Sequence, residues 1–574
     1  MGAGFRLLKQ ISGYSLQVLK IDPALERLLT KVLFFSLFGV TLVVTPYTTN
    51  DPFNLPKMCV LAVCGLFILG GVISNMRSVM QTYSKAIFVV LGLLVLDILV
   101  IVATNQPSLT EQLYGLFGRN TGALTYISLV GILAGGIVLS SENKIESFAK
   151  ITLIIGLISS LYGHFQYFGI EPFPYVSIYE RNVFSTFGNS NFQSAFMAMI
   201  AAMSCALAFK SGASHWYRIG VSLFSANCVF GIYETNAQQG FLSLLFALCV
   251  VAIVFLLNRK YYFLGTISFL GIASAFILVV LSIFNVGLKI DFLSNASVVA
   301  RKFFWESAAN IIISHPLLGV GMDGFGDWYL RERSAAAVKF NAGVTTDAAH
   351  NVALDLGVNG GVPLLALYLA IIFFTIRAIY RISQRDQHIS ANLYGLIGLW
   401  VAFQVQSLVS INQVGIAIWG WVSSGLIIGY EMNSTSTSHS LKQKHPVSIP
   451  SGKLHLRANS VLGVFAGSLV GVMLAAPAYL SANNYFRALN TGDPTIIFKS
   501  AGIFPHERQR FLQVASSMLN SGLNEEALYV ARIAIKKYPD SIQSWILLKA
   551  IPTATESEKA QASSEIKRLD PLNP

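Results

Sequence analysis

Thirteen apolar stretches, each near the length of a membrane crossing, dominate the chain. They run near residues 30–47, 57–75, 86–104, 122–140, 148–168, 192–209, 217–234, 240–258, 261–285, 360–380, 391–411, 414–432 and 459–481. A hydrocarbon core about 30 Å thick takes about 20 helical residues to cross. Backbone in lipid must satisfy its own N–H and C=O groups, so such stretches are expected to be helices. Composition closes the soluble alternative. Of 574 residues, 54% are hydrophobic and only 12% charged, about half the charge of an average globular chain. The expected fold is all-α, a polytopic membrane bundle of about 13 helices. The first stretch is the shortest and lacks an A-x-A-like cleavage site, so it reads as an anchor rather than a removed signal.

Net charge is +12, from 40 Lys and Arg against 28 Asp and Glu. In a soluble protein that excess would suggest nucleic acid. Here the basic residues sort by loop. Alternate loops hold half of them, among them Arg6, Lys9, Arg77, Lys150, Lys210, Arg259, Arg381 and Lys444. The short loops of the opposite side hold only Lys57, Arg119 and Arg181. The positive-inside rule then puts the N-terminus in the cytoplasm, and an odd number of crossings puts the tail outside. The charge excess is topological, and no nucleic-acid partner is expected. Cys59, Cys64, Cys205, Cys228 and Cys249 all lie in apolar runs without metal-binding spacing. They read as small buried hydrophobes.

The expected organisation follows. Residues 1–29 form a cytoplasmic N-terminal segment. Residues 30–432 form a polytopic domain with a long external loop at 286–359. Residues 433–458 are a polar, low-complexity cytoplasmic linker that tethers the last crossing, 459–481, and an external tail, 482–574. Within the tail, Gly522 to Pro539 reads as a helix ended by proline. Alanines 527, 531 and 534 would let a second helix approach closely. This resembles a tetratricopeptide-type helix pair; a plain helical hairpin is the other reading. A tail of stacked helices offers a partner-binding surface, and if it only recruits, its removal should spare any chemistry.

No motif of a soluble enzyme is present, neither a P-loop nor HExxH nor GxSxG. The run Gly319-Val-Gly-Met-Asp-Gly324 is glycine-rich but lacks the Lys-Ser/Thr end of a P-loop. The external loop carries more information. Val298 to Ser314 has apolar residues at helical spacing. It is expected to lie on the outer membrane surface as an amphipathic helix, with Arg301 at headgroup height and a stop at His315-Pro316. Asp347-Ala-Ala-His350-Asn351 then leads into the tenth crossing through Leu354 and Gly357. Two further external loops enter crossings, one through Arg181 to Gly188-Asn-Ser-Asn191, the other through Arg119-Asn-Thr-Gly122.

Taken together, these stretches resemble the O-antigen ligase and polymerase superfamily of bacterial membrane glycosyltransferases. The resemblance covers roughly residues 30–430. It rests on Arg181 with Gly188-Asn-Ser-Asn191 and Ala195, on Arg301 with Trp305 and Pro316-Leu-Leu-Gly-Val-Gly321, and on the His350-Asn351 element. Asp51 to Lys57 and Arg119 to Gly122 are lesser matches. The chain departs from the family before the eighth crossing, where Gln238-Gln239-Gly240 stands in place of Ser-Arg-Gly. The resemblance implies a polyprenyl-diphosphate-linked glycan as donor, at the outer face of the cytoplasmic (inner) membrane, and a glycan, lipid or protein hydroxyl as acceptor. Guanidinium groups suit a diphosphate leaving group, and a histidine suits the removal of a hydroxyl proton. His350, Arg301 and Arg181 are therefore the candidate catalytic residues. Arg119, Asn191, Asn351 and His315 are candidate substrate contacts. With arginines in place of a divalent ion, no metal and no cofactor are expected. The structural alternatives are headgroup-binding arginines, a helix-capping His350 and a turn-forming His315. His164 and Asp97, inside apolar segments, read as hydrogen-bonding or as functional. The competing function is a flippase for lipid-linked glycan or a polysaccharide transporter. No internal repeat and few midplane charges support it.

Overall fold

The computed structural model describes residues 21–105, 108–173, 183–283, 296–440 and 456–572. Twenty-three α-helices follow in chain order. The first group is α1 (Pro23–Leu42), α2 (Asn54–Ile73), α3 (Met76–Thr82), α4 (Lys85–Thr104), α5 (Leu109–Tyr114), α6 (Ala123–Leu139) and α7 (Glu142–Tyr167). Then come α8 (Ser190–Ala208), α9 (His215–Glu234), α10 (Gln239–Asn258), α11 (Tyr262–Ile283), α12 (Ala296–Ser314), α13 (Phe325–Glu332) and α14 (Ala335–Asn341). The last group is α15 (Val352–Arg385), α16 (Ala391–Val409), α17 (Val414–Ser440), α18 (Ala458–Leu489), α19 (Pro494–Ala501), α20 (Arg508–Asn520), α21 (Asn524–Lys537), α22 (Ile542–Ala550) and α23 (Glu556–Leu569). No strand occurs among the described residues. The protein is an all-helical, multi-pass membrane protein.

Each of the thirteen apolar stretches overlaps a helix over most of its described length, the first only as far as Leu42. Among the described residues, nine helices are long and apolar enough to cross a membrane. Helix α6 and the apolar part of α11, Tyr262–Ala275, are shorter. Helix α1 carries Glu26, Arg27 and Lys31, and α9 carries Arg218 and Glu234, which lowers their apolar character. Helices α6, α8 and α17 are buried almost all round and form the centre. Helices α4, α10, α15 and α18 carry the exposed large side chains, such as Leu96, Leu245, Phe373 and Phe465, that a lipid-facing surface needs.

Two joints position the functional end. Helix α18 crosses α2 through Gly463, Gly467 and Gly471, spaced four apart. A β-carbon on Gly463 would sit 2.5 Å from the Gly70 carbonyl oxygen. Small residues at this spacing let membrane helices pack backbone to backbone. The last apolar helix is thus packed into the body as well as tethered to it. It also continues to Leu489 without a break at residue 482.

The second joint is a break in α15 at Gly360 and Gly361. The Pro316–Gly321 segment docks into it. The Val320 and Gly321 N–H groups donate to the carbonyls of Val358 (2.9 Å) and Asn359 (3.1 Å), and the Val362 N–H donates to that of Pro316 (2.8 Å). Gly319 has φ +58, and a β-carbon there would lie 2.2 Å from the Val358 oxygen. Left-handed backbone at a non-glycine residue and overpacking each cost about 1–3 kcal/mol. Gly319→Ala is therefore expected to destabilise the fold by about that much. A fall in melting temperature in detergent checks it; an unchanged transition would refute the docking.

The expected surface helix is α12, but its buried side chains do not face a bilayer. Phe304, Ala308 and Ile311 share a core with Phe325 and Tyr329 of α13, and with Phe511, Ala531 and Trp545 of the tail. Loop and tail are one packed unit. The tail itself is a set of helix hairpins. Ala527, Ala531 and Ala534 of α21 are fully buried where it meets α20, and α21 stops just before Tyr538-Pro539.

Candidate functional site

The site forms where the long loop between α11 and α15 meets the N-terminus of α15. His350 sits one residue before the Asn351 cap. The Asn351 side-chain oxygen accepts the Leu354 N–H (3.1 Å), and its amide nitrogen donates to the Leu408 carbonyl (3.0 Å). On the other side, the Asp355 carboxylate accepts the Ala349 N–H at 2.7 Å. Clamped between these anchors, His350 adopts φ +54, a left-handed conformation that strains a non-glycine residue. Its imidazole stacks on Phe304, with ring centroids 5.6 Å apart and planes at 26°.

Phe304 lies one helical turn after Arg301 on α12, which brings Arg301 toward the imidazole. Burial holds the Arg301 guanidinium below its ordinary pKa. Its Nε is buried without a hydrogen-bond partner, and no ion pair to it occurs among the described residues. Burial, then the positive charges of Arg301 and Arg119, push His350 down to about 4, against the opposing pull of Asp347. The histidine is neutral at physiological pH, as a proton acceptor must be.

Beneath the pair lies a polar network built on Arg119. Its Nη1 donates to the Asp347 carbonyl (2.7 Å) and pairs with the Asp347 carboxylate (3.1 Å). Only 7% of the side chain is exposed. The Asp323 carboxylate accepts the Leu116 N–H (3.0 Å) and the Thr121 hydroxyl (2.9 Å). Burial raises Asp323 above the ordinary carboxylate range, with Arg119 working against it. The Gly319–Gly324 run therefore serves as an anchor that ties the long loop to the Leu116–Thr121 turn.

The structure places the expected residues unequally. It brings together Arg301, His350 and Asn351. Arg119 lies alongside, with Nη1 held by Asp347 and Nε buried without a hydrogen-bond partner among the described residues. His315 lies elsewhere. It packs edge-on against Trp328 (4.4 Å), accepts or donates with the Ser314 hydroxyl (3.0 Å), and lines a separate cavity of about 330 Å³ with Asn105 and Tyr538. Asn191 opens α8, where its carbonyl accepts from the Gln239 side chain at 2.7 Å. The family departure at Gln238-Gln239-Gly240 thus joins α10 to α8. Arg181 lies outside the described residues. His164 pairs through Nδ1 with Glu234 (2.6 Å) and through Nε2 with Asn227 (2.9 Å), a hydrogen-bonding role. Among the described residues, no group of three or more His, Cys, Asp or Glu is placed to hold a metal ion.

Sequence reasoning missed Asp323, Asp347 and Asp355. The signal was present for two of them, since Asp323 sits inside the Gly-rich run and Asp347 stands three residues before His350.

These features define a multi-pass helical membrane protein with a neutral histidine, and an arginine without an ion pair among the described residues, held by a loop at one end of the bundle. Residues 221–369 match the model of one protein family, described as O-Antigen ligase. The match supports the O-antigen ligase superfamily. It takes in Arg301, His315, His350 and Asn351, and leaves out Arg119, Arg181 and Asn191. No curated protein matches the chain.

Proposed function

We propose that the protein is a membrane glycosyltransferase of the ligase or polymerase type. It moves a glycan from a polyprenyl-diphosphate carrier to an acceptor hydroxyl at the outer face of the cytoplasmic membrane. The observation that carries this reading is the pairing of Arg301, whose Nε is buried and unpartnered, with His350, a base kept neutral. Arg301 takes the diphosphate through charge-assisted hydrogen bonds, and Arg181 is proposed to join it. The acceptor oxygen bonds to the anomeric carbon while the bond from that carbon to the phosphate oxygen breaks. The electron pair leaves with the diphosphate, whose growing charge Arg301 offsets. The acceptor proton passes to His350. Asn351 and Asp355 are positioning residues that act through the backbone on either side. The tail is proposed as a tetratricopeptide-like unit able to bind a protein partner.

The test uses full-length protein in proteoliposomes, with polyprenyl-diphosphate-linked oligosaccharide supplied and new glycosidic bonds counted. Arg301→Ala is expected to lower turnover by roughly 100- to 1,000-fold, and Arg301→Lys to recover part of it. Full activity in Arg301→Ala would sink the assignment. Movement of the carrier across the bilayer with no bond formation would favour a transporter.

A further inference from the structure

A cavity of about 390 Å³ lies between the tail and the loop, within the usual size range of small-molecule sites. Resting on the transferase reading above, we propose that this cavity is the acceptor subsite and that it takes a saccharide.

Four observations support it. First, the cavity adjoins the candidate site. Asp347 lines it with a half-exposed carboxylate while holding Arg119 on its other side. His350 stands three residues after Asp347, so the subsite lies next to the segment that carries the base.

Second, the cavity has an unmet polar group. Asn120 lines it, is 5% exposed, and its side-chain oxygen is buried without a hydrogen-bond partner. A buried acceptor left unpaired is costly, and a sugar hydroxyl is the donor it lacks.

Third, the wall chemistry selects against an anion. The one arginine there, Arg508 of the tail, is already held by Glu111 (3.1 Å) and Asp327 (2.5 Å). What remains are the side-chain amides of Asn120, Gln509 and Gln543, beside the half-exposed Asp347 carboxylate. The amides exchange hydrogen bonds with a neutral polyol, and the carboxylate repels diphosphate.

Fourth, the walls are helices and loops, with no sheet edge among the described residues to pair with an extended peptide. Recognition of an extended peptide commonly uses such an edge. Donor and acceptor thus enter from different sides, the diphosphate by Arg301 and the saccharide beneath the tail.

The experiment uses the same proteoliposomes and donor. Two acceptor probes are offered: free oligosaccharide released from the same carrier by mild acid, and a peptide rich in serine and threonine. The free oligosaccharide should be extended. Asn120→Ala and, independently, Gln543→Ala in the tail should each raise its KM about 3- to 10-fold, the effect of one neutral hydrogen bond. Donor KM and donor hydrolysis without acceptor should stay at the wild-type level, and thermal melts confirm folding. An unchanged acceptor KM in both folded variants would overturn the subsite. Glycosylation of the peptide alone would overturn the saccharide assignment. Wild-type protein that cleaves no donor would overturn the transferase reading itself.

Discussion

His350→Ala is expected to lower glycan transfer by roughly 100- to 10,000-fold, the range for loss of a general base. His350→Gln should lose about as much, because shape is kept and basicity is not. The pH profile is the sharper test. In the free protein the imidazole sits at about 4, held down first by burial and then by Arg301 and Arg119. The neutral form is the active one. Activity is therefore present above that pKa and lost as pH falls through it. An exposed histidine would lose half its activity near 6.5. The profile of kcat/KM, which reports free groups, should stay flat down to about pH 5. Bound diphosphate changes the balance. Its negative charge offsets Arg301 and stabilises imidazolium, so the inflection in kcat should lie above that in kcat/KM. A bound pKa nearer the working pH also makes a better base. A single inflection near 6.5 in both profiles would show a histidine that neither burial nor Arg301 perturbs, and a fully active His350→Ala would place it outside the chemistry.

The fold was legible because its main determinant is written in single residues. About twenty apolar residues in a row leave few alternatives, and each such stretch is helical over most of its described length. The joints were not legible in the same way. Gly463, Gly467 and Gly471 look like ordinary glycines in an apolar run until α2 is seen against them. The break at Gly361 falls within the apolar stretch at 360–380, and its meaning appears only when Pro316 docks there. Amphipathic spacing in residues 298–314 gave the helix correctly but not the surface it faces, because periodicity says that a face is covered and not by what. The same holds for the site. His350 and Arg301 were readable as candidates on one long loop. Arg119 looked equally free, and only the structure shows Asp347 on its guanidinium. An ion pair between residues more than 200 positions apart leaves no mark in one sequence.

The contacts of the tail lead to the remaining large effect. Arg333, just after α13, donates through Nη2 to both carboxylate oxygens of Asp570 (2.9 and 2.7 Å) and through Nη1 to the Ala342 carbonyl (2.8 Å). The two side chains are 2% and 7% exposed. Removing one partner of such a pair leaves a buried charge without its counterion, which costs about 3–5 kcal/mol. Asp570→Ala should therefore cost about that much. Arg532→Ala, which breaks the more exposed pair with Glu558 (49% and 22% exposed), should cost far less, because solvent screens the pair. Where the loss falls matters more than its size. Arg331 with Asp540, and Arg508 with Glu111 and Asp327, fasten the same surfaces. Phe304, which supports His350, belongs to the core that loop and tail share. A tail that only recruited partners could be removed without harm to the chemistry. This tail forms one wall of the loop that presents His350. Truncation after Leu489 is therefore expected to abolish transfer and donor hydrolysis together, and Asp570→Ala to lower both in parallel with its loss of stability. Thermal melts in detergent, read beside turnover in proteoliposomes, check each variant. Wild-type donor hydrolysis in a folded, truncated protein would show that the tail clamps nothing.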